Sequence, residues 1–266
     1  MEKLLITGNG PLHGEVVIAG AKNAALPVLA ASLLTSDPLQ ISNVPAVRDI
    51  ATLIELMNVL GCKVDRQETE LSIDTSQVHS VRAPYELVKT MRGSILLLGP
   101  LLARFGEADI SLPGGCAIGS RPVNEHISGL QRMGADITIE GGYIKARATR
   151  LRGAHIPLDT PSVTATENLL MAAALADGST EIENAAMEPE VTDLARLLVA
   201  MGASIEGIGS SQLSVEGANS LQGASHRVPP DRIESSTLLV AAAATRGKVA
   251  ILDTNPDFLR YVLAKL

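Results

Sequence analysis

The chain has 266 residues and a formal net charge of -7. An acidic total excludes broad binding to a nucleic-acid backbone, which needs an excess of Lys and Arg; with 2% aromatics and no Trp, platforms for stacking bases are missing too. Two cysteines, Cys62 and Cys116, are too few for a disulfide framework or a structural zinc site. No signal-peptide pattern opens the chain and no apolar run is long enough to span a bilayer, so a cytoplasmic protein without a membrane or nucleic-acid partner is expected.

Residues 1–20 read as a hairpin, Leu4–Thr7 and Glu15–Ala19, turning through Gly8-Asn-Gly10-Pro11. The turn is not a dinucleotide fingerprint, because His13 stands where the third glycine belongs. Gly20-Ala-Lys-Asn23 follows and sets Lys22 and Asn23 at a helix N-terminus. Free N–H groups and the positive dipole end favour an anion there; a capped helix with a solvated lysine is the equal alternative.

Beyond Gly20 the chain repeats itself. Each unit begins with a helix that is apolar nearly all round: Ala24 to Leu34, Ser94 to Phe105, Thr166 to Ala176 and Ser236 to Ala244. Such helices must be buried on all sides. A strand follows each one, at Leu39–Ser42, Ala108–Ser111, Thr180–Glu183 and Val249–Leu252, and then a proline opens an amphipathic helix at Pro45, Pro122, Pro189 and Pro256. Three of these helices end in a glycine cap and a strand, in Leu60-Gly-Cys62, Met133-Gly-Ala135 and Met201-Gly-Ala203. Cys62 therefore takes the place of a small packing residue. The fourth unit stops at Leu263-Ala-Lys-Leu266, which leaves its apolar helix without covering strands; the expectation is the front part of a longer protein, or a partner on that surface. Paired prolines in Arg227-Val-Pro-Pro-Asp231 punctuate the chain. Residues 21–229 are expected to form one three-unit domain, and 1–20 with 230–266 an incomplete second domain.

The chemistry concentrates in Ser111-Leu-Pro-Gly-Gly-Cys-Ala-Ile-Gly-Ser-Arg-Pro122. Three glycines and two prolines around one thiol, Cys116, and one guanidinium, Arg121, make a loop whose backbone can approach a ligand. The alternative for an isolated cysteine is a small buried hydrophobe. Arg92 precedes the second buried helix as Lys22 precedes the first, so Lys22, Arg92 and the Cys116–Arg121 loop are expected to converge in a local cationic pocket. The five histidines lack metal-ligand spacing and are expected to be structural or exposed, with no metal site. Glu188-Pro-Glu190 reads as favourable charge at a helix start.

On Gly20-Ala-Lys-Asn-Ala-Ala-Leu-Pro27, Ala83-Pro-Tyr-Glu-Leu-Val-Lys-Thr-Met-Arg92, the cysteine loop, Ile182-Glu-Asn-Ala-Ala186 with Glu188-Pro-Glu190, and Pro230-Asp-Arg-Ile-Glu234, the chain resembles the enolpyruvyl transferase family. The cysteine loop is similar to that of the branch acting on UDP-N-acetylglucosamine and sets it apart from the shikimate-pathway branch. The resemblance implies an α/β (α+β) fold, an inside-out α/β barrel of repeated βαβαββ units around buried helices. It implies transfer of the enolpyruvyl group of phosphoenolpyruvate to the 3-hydroxyl of UDP-N-acetylglucosamine with release of phosphate, the first committed step of peptidoglycan synthesis, without a cofactor. By position, Lys22 and Asn23 would contact phosphoenolpyruvate and Arg121 would assist with its charge. Cys116 would protonate the enol carbon and react with the epoxide fosfomycin. Arg92, the segment Arg121, Pro122, Val123, Asn124 and Glu125, and Ser162 with Val163 would hold the nucleotide sugar. Asn124-Glu125 departs from the family pattern of an acidic residue followed by Leu, and the family's general-base aspartate and later phosphate-binding arginines lie beyond residue 266. A non-catalytic nucleotide-sugar binding remnant and a 5-enolpyruvylshikimate-3-phosphate synthase-like enzyme are the other readings; oligomeric state is left open.

Overall fold

The computed structural model describes residues 3–89, 91–112 and 123–266. It divides into two compact units, Lys22–Val228 and Met1–Ala21 with Pro229–Leu266. The chain enters the smaller unit through β1 (His13–Val17) and then builds the larger one.

In the larger unit, α1 (Lys22–Ala31) continues as a 3-10 turn over Ser32–Leu34 and is followed by β2 (Leu39–Ser42), α2 (Arg48–Leu60), β3 (Lys63–Gln67) and β4 (Glu70–Asp74). The second repeat opens with β5 (Arg82–Ala83) and the single turn α3 (Tyr85–Val88). A 3-10 segment, Arg92–Leu97, runs into α4 (Leu98–Phe105), and β6 (Glu107–Ser111), α5 (Asn124–Arg132), β7 (Asp136–Glu140) and β8 (Tyr143–Arg147) complete it. The third comprises β9 (His155–Pro157), α6 (Val163–Ala173), β10 (Ser179–Glu183), α7 (Pro189–Ala200), β11 (Ser204–Glu206) and β12 (Gln212–Glu216), after which comes β13 (Ser225–Arg227). The smaller unit resumes with α8 (Arg232–Ala244), β14 (Lys248–Leu252), a 3-10 turn at Pro256–Leu259 and α9 (Arg260–Leu263).

Each repeat owns one four-stranded sheet, in the orders β13-β2-β4-β3, β5-β6-β8-β7 and β9-β10-β12-β11. In every sheet a short strand lies parallel to the strand after the buried helix, and a hairpin joins it antiparallel. The first repeat takes its parallel strand from β13, at the far end of the unit, with Ser225 opposite Gln40. In the smaller unit β1 serves β14 in the same way, with His13 opposite Lys248. The repeating βαβαββ pattern is the one expected from sequence, with each unit starting one strand earlier than its apolar helix.

Side-chain chemistry enforces the repeat. Asn43, Asn184 and Asp253 directly follow β2, β10 and β14 and hold positive φ values of 58°, 57° and 50°, a conformation Asn and Asp tolerate best among residues with a Cβ. Asn43 Nδ2 donates to the Val228 carbonyl at 2.8 Å and Asn184 Nδ2 to the Leu158 carbonyl at 2.9 Å, the same tie made in two sheets. Gly61 at φ 103°, Gly134 at 91° and Gly202 at 104° turn the chain out of α2, α5 and α7, as the glycine caps require.

The core lies among the apolar helices. Ala24–Ala31 of α1, Leu98–Leu102 of α4 and Ala165–Ala173 of α6 are buried throughout, and each Leu, Val or Ile so buried contributes about 1.5–3 kcal/mol. Their C-terminal ends meet: Leu34, Arg104, Phe105 and Leu175 line one crevice of about 720 Å³. Arg104 Nη1 donates there to the carbonyls of Leu33 at 3.1 Å and Thr35 at 2.7 Å, satisfying acceptors the helix end leaves over. The starts of the three helices therefore lie at the opposite end of the unit.

Three sequence expectations are corrected. The N-terminal hairpin does not form: Leu4–Thr7 is not a strand and Leu4 and Leu5 are exposed, because β1 takes the parallel partner β14 and an isolated hairpin has little to hold it. The second buried helix is split, since Pro100 has no N–H for the Leu96 carbonyl and the preceding turns tighten to 3-10 geometry. Pro45 does not open its helix, which starts at Arg48, and Pro256 opens only a 3-10 turn. As expected for a helix without covering strands, α8 is not enclosed: Ser235 is its buried residue, while Ile233 and Val240 are each 49% exposed.

Candidate functional site

The predicted binding residues stand at helix starts. Lys22 is the first residue of α1, and its Nζ lies 3.0 Å from Asp49 Oδ2 in the first turn of α2. Both side chains are more than a third exposed, so the pair orients the lysine more than it stabilises the fold. Asn23 follows and is exposed; Pro27, inside α1, has no N–H to bond the Asn23 carbonyl. Arg92 opens the 3-10 segment of the second repeat, half-buried. A Cβ on the adjacent Gly93 would stand 3.0 Å from Leu26 Cδ1, so this start packs directly on α1.

Val123, Asn124 and Glu125 form the N-terminal turn of α5, and Ser162 and Val163 that of α6. The Ser162 side chain caps α6 by accepting from Ala165 N–H at 3.4 Å. Two ties bring these turns together. Glu125 Oε1 accepts from Thr160 N–H at 3.2 Å, and His126 Nε2 lies 3.2 Å from Thr164 Oγ1. The charge of Arg92 reaches the same imidazole. Arg92, Val123–Glu125 and Ser162–Val163 thus share one region of the larger unit. Cys116, Arg121 and Pro122 lie outside the described residues.

Buried polar groups lie beside this region, and sequence reasoning did not single out Glu167 or Asn168 among them. His126 was expected to be structural or exposed; it is 2% exposed and bonded at both ring nitrogens, to Thr164 and, at 2.8 Å, to Asn168 Nδ2. Burial, reinforced by Arg92, pushes its pKa down to about 3, so the ring is neutral. Glu167, 1% exposed, has an Oε1 without a hydrogen-bond partner among the described residues. Burial first, and then the charges of Glu190 and Glu188, hold its carboxyl well above the usual range. Glu188-Pro-Glu190 is thus more than charge at a helix start, since Glu190 is itself buried. The signal was present in the sequence: Thr166-Glu167-Asn168 interrupts an otherwise apolar helix with three polar residues in a row.

Cys62 is 6% exposed, and burial pushes its thiol up to about 12, which fits a packing residue and leaves almost no thiolate at neutral pH. Among the described residues no group of His, Cys, Asp and Glu could hold a metal ion, and no helix is long and apolar enough to cross a membrane.

The architecture and sequence have clear relatives. The chain is 57% identical to a UDP-N-acetylglucosamine 1-carboxyvinyltransferase of Halorhodospira halophila and 60% identical to one of Shewanella amazonensis, in both cases over all of this chain and 64% of the relative. It spans, then, a little under two thirds of the length of these curated relatives. Among solved structures it is similar to the enolpyruvyl transferase NikO from Streptomyces tendae, with a TM-score of 0.78 at 26% identity over 87% of this chain and 55% of that one. EPSP synthase from Acinetobacter baumannii shares the fold, with a TM-score of 0.74 at 22% identity, covering 94% of this chain and 57% of that one. The family model of EPSP synthase (3-phosphoshikimate 1-carboxyvinyltransferase) matches residues 6–266, and the chain belongs to that family.

Proposed function

We propose that this chain carries substrate-binding and acid-catalytic residues of an enzyme that transfers the enolpyruvyl group of phosphoenolpyruvate to the 3-hydroxyl of UDP-N-acetylglucosamine, releasing phosphate. That is the first committed step of peptidoglycan synthesis, placed in the cytoplasm and needing no cofactor. The observation that carries the reading is the meeting of helix starts: Val123–Glu125 tied to the start of α6 through Glu125–Thr160 and His126–Thr164, with Arg92 alongside. The names of the relatives at 57% and 60% identity favour UDP-N-acetylglucosamine over a shikimate phosphate as acceptor.

In this reading Lys22 and Asn23, with Arg121, hold the phosphate and carboxylate of phosphoenolpyruvate at the exposed start of α1, where the helix end favours an anion. Arg92, Arg121, Pro122, Val123, Asn124, Glu125, Ser162 and Val163 hold the nucleotide sugar. Cys116 gives its proton to the methylene carbon while the 3-hydroxyl oxygen, losing its proton to a base, bonds the adjacent carbon; loss of a proton from the resulting methyl group then expels phosphate and restores the double bond, and a thiol serves as acid only while it keeps its proton.

The test is phosphate release from phosphoenolpyruvate with UDP-N-acetylglucosamine as acceptor, run beside shikimate 3-phosphate. Turnover with the first alone supports the proposal. Turnover with the second transfers the chain to the shikimate branch, and UDP-N-acetylglucosamine binding without turnover supports the binding remnant. Fosfomycin labelling is expected to vanish in Cys116→Ser and to persist in Cys62→Ala.

A further inference from the structure

The amide of Asn168, buried in the middle of α6, has no freedom of orientation. Gly99 N–H donates to its Oδ1 at 2.6 Å and the Ile95 carbonyl accepts from its Nδ2 at 2.7 Å. A flipped amide would set donor against donor and acceptor against acceptor at both places. Nδ2 therefore turns its second hydrogen toward His126 Nδ1, 2.8 Å away. A ring nitrogen that accepts carries no proton, so the single proton of the neutral imidazole sits on Nε2 and is donated to Thr164 Oγ1 at 3.2 Å. The chain of bonds runs from the backbone of the second repeat, through α6, into the first turn of α5 and back to the first turn of α6.

We propose that Asn168 is a positioning residue: by fixing His126 as the Nε2–H tautomer it locks the spacing between the start of α5 and the start of α6, and with it the grip on the nucleotide sugar. The second part rests on the reading of Val123–Glu125 and Ser162–Val163 as nucleotide-sugar contacts; the first part does not. The other tie between these turns, Glu125 to Thr160, is exposed and exchanges readily with water. The Asn168–His126 bond is shielded from solvent and has no such substitute.

Two measurements on the 266-residue protein test this. Two-dimensional proton–nitrogen spectra of histidine-labelled protein at pH 7 are expected to show His126 protonated at Nε2 and bare at Nδ1; protonation at Nδ1 overturns the proposal. Calorimetric titration with UDP-N-acetylglucosamine is expected to show at least about tenfold weaker binding in Asn168→Asp, which removes both bonds donated by Nδ2, to His126 Nδ1 and to the Ile95 carbonyl. Thr164→Val keeps the shape of the helix turn while removing the acceptor, so it gives the same loss even where Asn168→Asp does not fold. Undiminished affinity in a folded variant overturns the positioning role. Absence of UDP-N-acetylglucosamine binding by the unsubstituted chain overturns the functional reading and the grip with it, while the tautomer result stands on its own spectrum.

Discussion

Gly99 and Asn168 touch backbone to side chain: the Gly99 amide donates to Asn168 Oδ1 at 2.6 Å, and a Cβ on Gly99 would stand 2.4 Å from the Asn168 carbonyl oxygen and 2.5 Å from Oδ1. No side chain fits between α4 and α6 at this point. Gly99→Ala is therefore expected to destabilise the larger unit by about 1–3 kcal/mol, the usual range for overpacking a dense interior. Equilibrium denaturation in urea checks it; an unchanged midpoint would mean the helices separate at little cost.

His126 makes the fold sensitive to acid. Its folded pKa is lowered to about 3, below an unfolded value near 6.5, so the unfolded chain binds the proton first and stability is lost as pH falls below that unfolded value. Between pH 7 and pH 5 the loss attributable to this residue is about 2 kcal/mol. His126→Gln should show a shallower decline over that interval than the parent, read as the difference in unfolding free energy between pH 7 and pH 5. Parallel pH profiles would show that the ring is accessible to protons in the folded state.

Glu167 acts with the opposite sign. Its folded pKa is raised by burial and by Glu190 and Glu188, so the folded protein holds the proton more tightly than the unfolded chain, whose glutamates titrate near 4.3. The stability it contributes is complete below that unfolded value and is lost as pH rises toward the folded one. Glu167→Gln, which cannot ionise, should gain stability relative to the parent as pH goes from 5 to 8. Thermal melts of both proteins at the two values check this, and a gap that narrows toward pH 8 would contradict it.

Thiol chemistry should divide by burial. Cys62, with its thiol raised to about 12, is expected to resist a small alkylating reagent at pH 7.5 until the protein is unfolded by denaturant. Mass spectrometry of the peptide containing Cys62, before and after denaturation, reads the outcome; rapid modification in the folded state would mean that α2 and the following turn open locally.

Much of the molecule was legible in the order of residues alone. Apolar helices, the strands after them, glycine caps and an amphipathic helix in each repeat follow from local periodicity and from the conformations that Gly, Asn and Pro permit, which need no distant partner. Lys22 and Arg92 could be placed at helix starts for the same reason, whereas Ser162 as the cap of α6 could not. What sequence could not supply was who pairs with whom: β1 with β14 instead of a hairpin, β13 with β2 across the whole larger unit, and Arg104 with the carbonyls at the end of α1. Nor could it show that Asn168, in the middle of α6, bonds His126, or that the neighbouring Glu167 lies within reach of the charge of Glu190. Those depend on packing separate segments around one core, where removing water raises the cost of an unpaired polar atom and so determines which side chains must find each other.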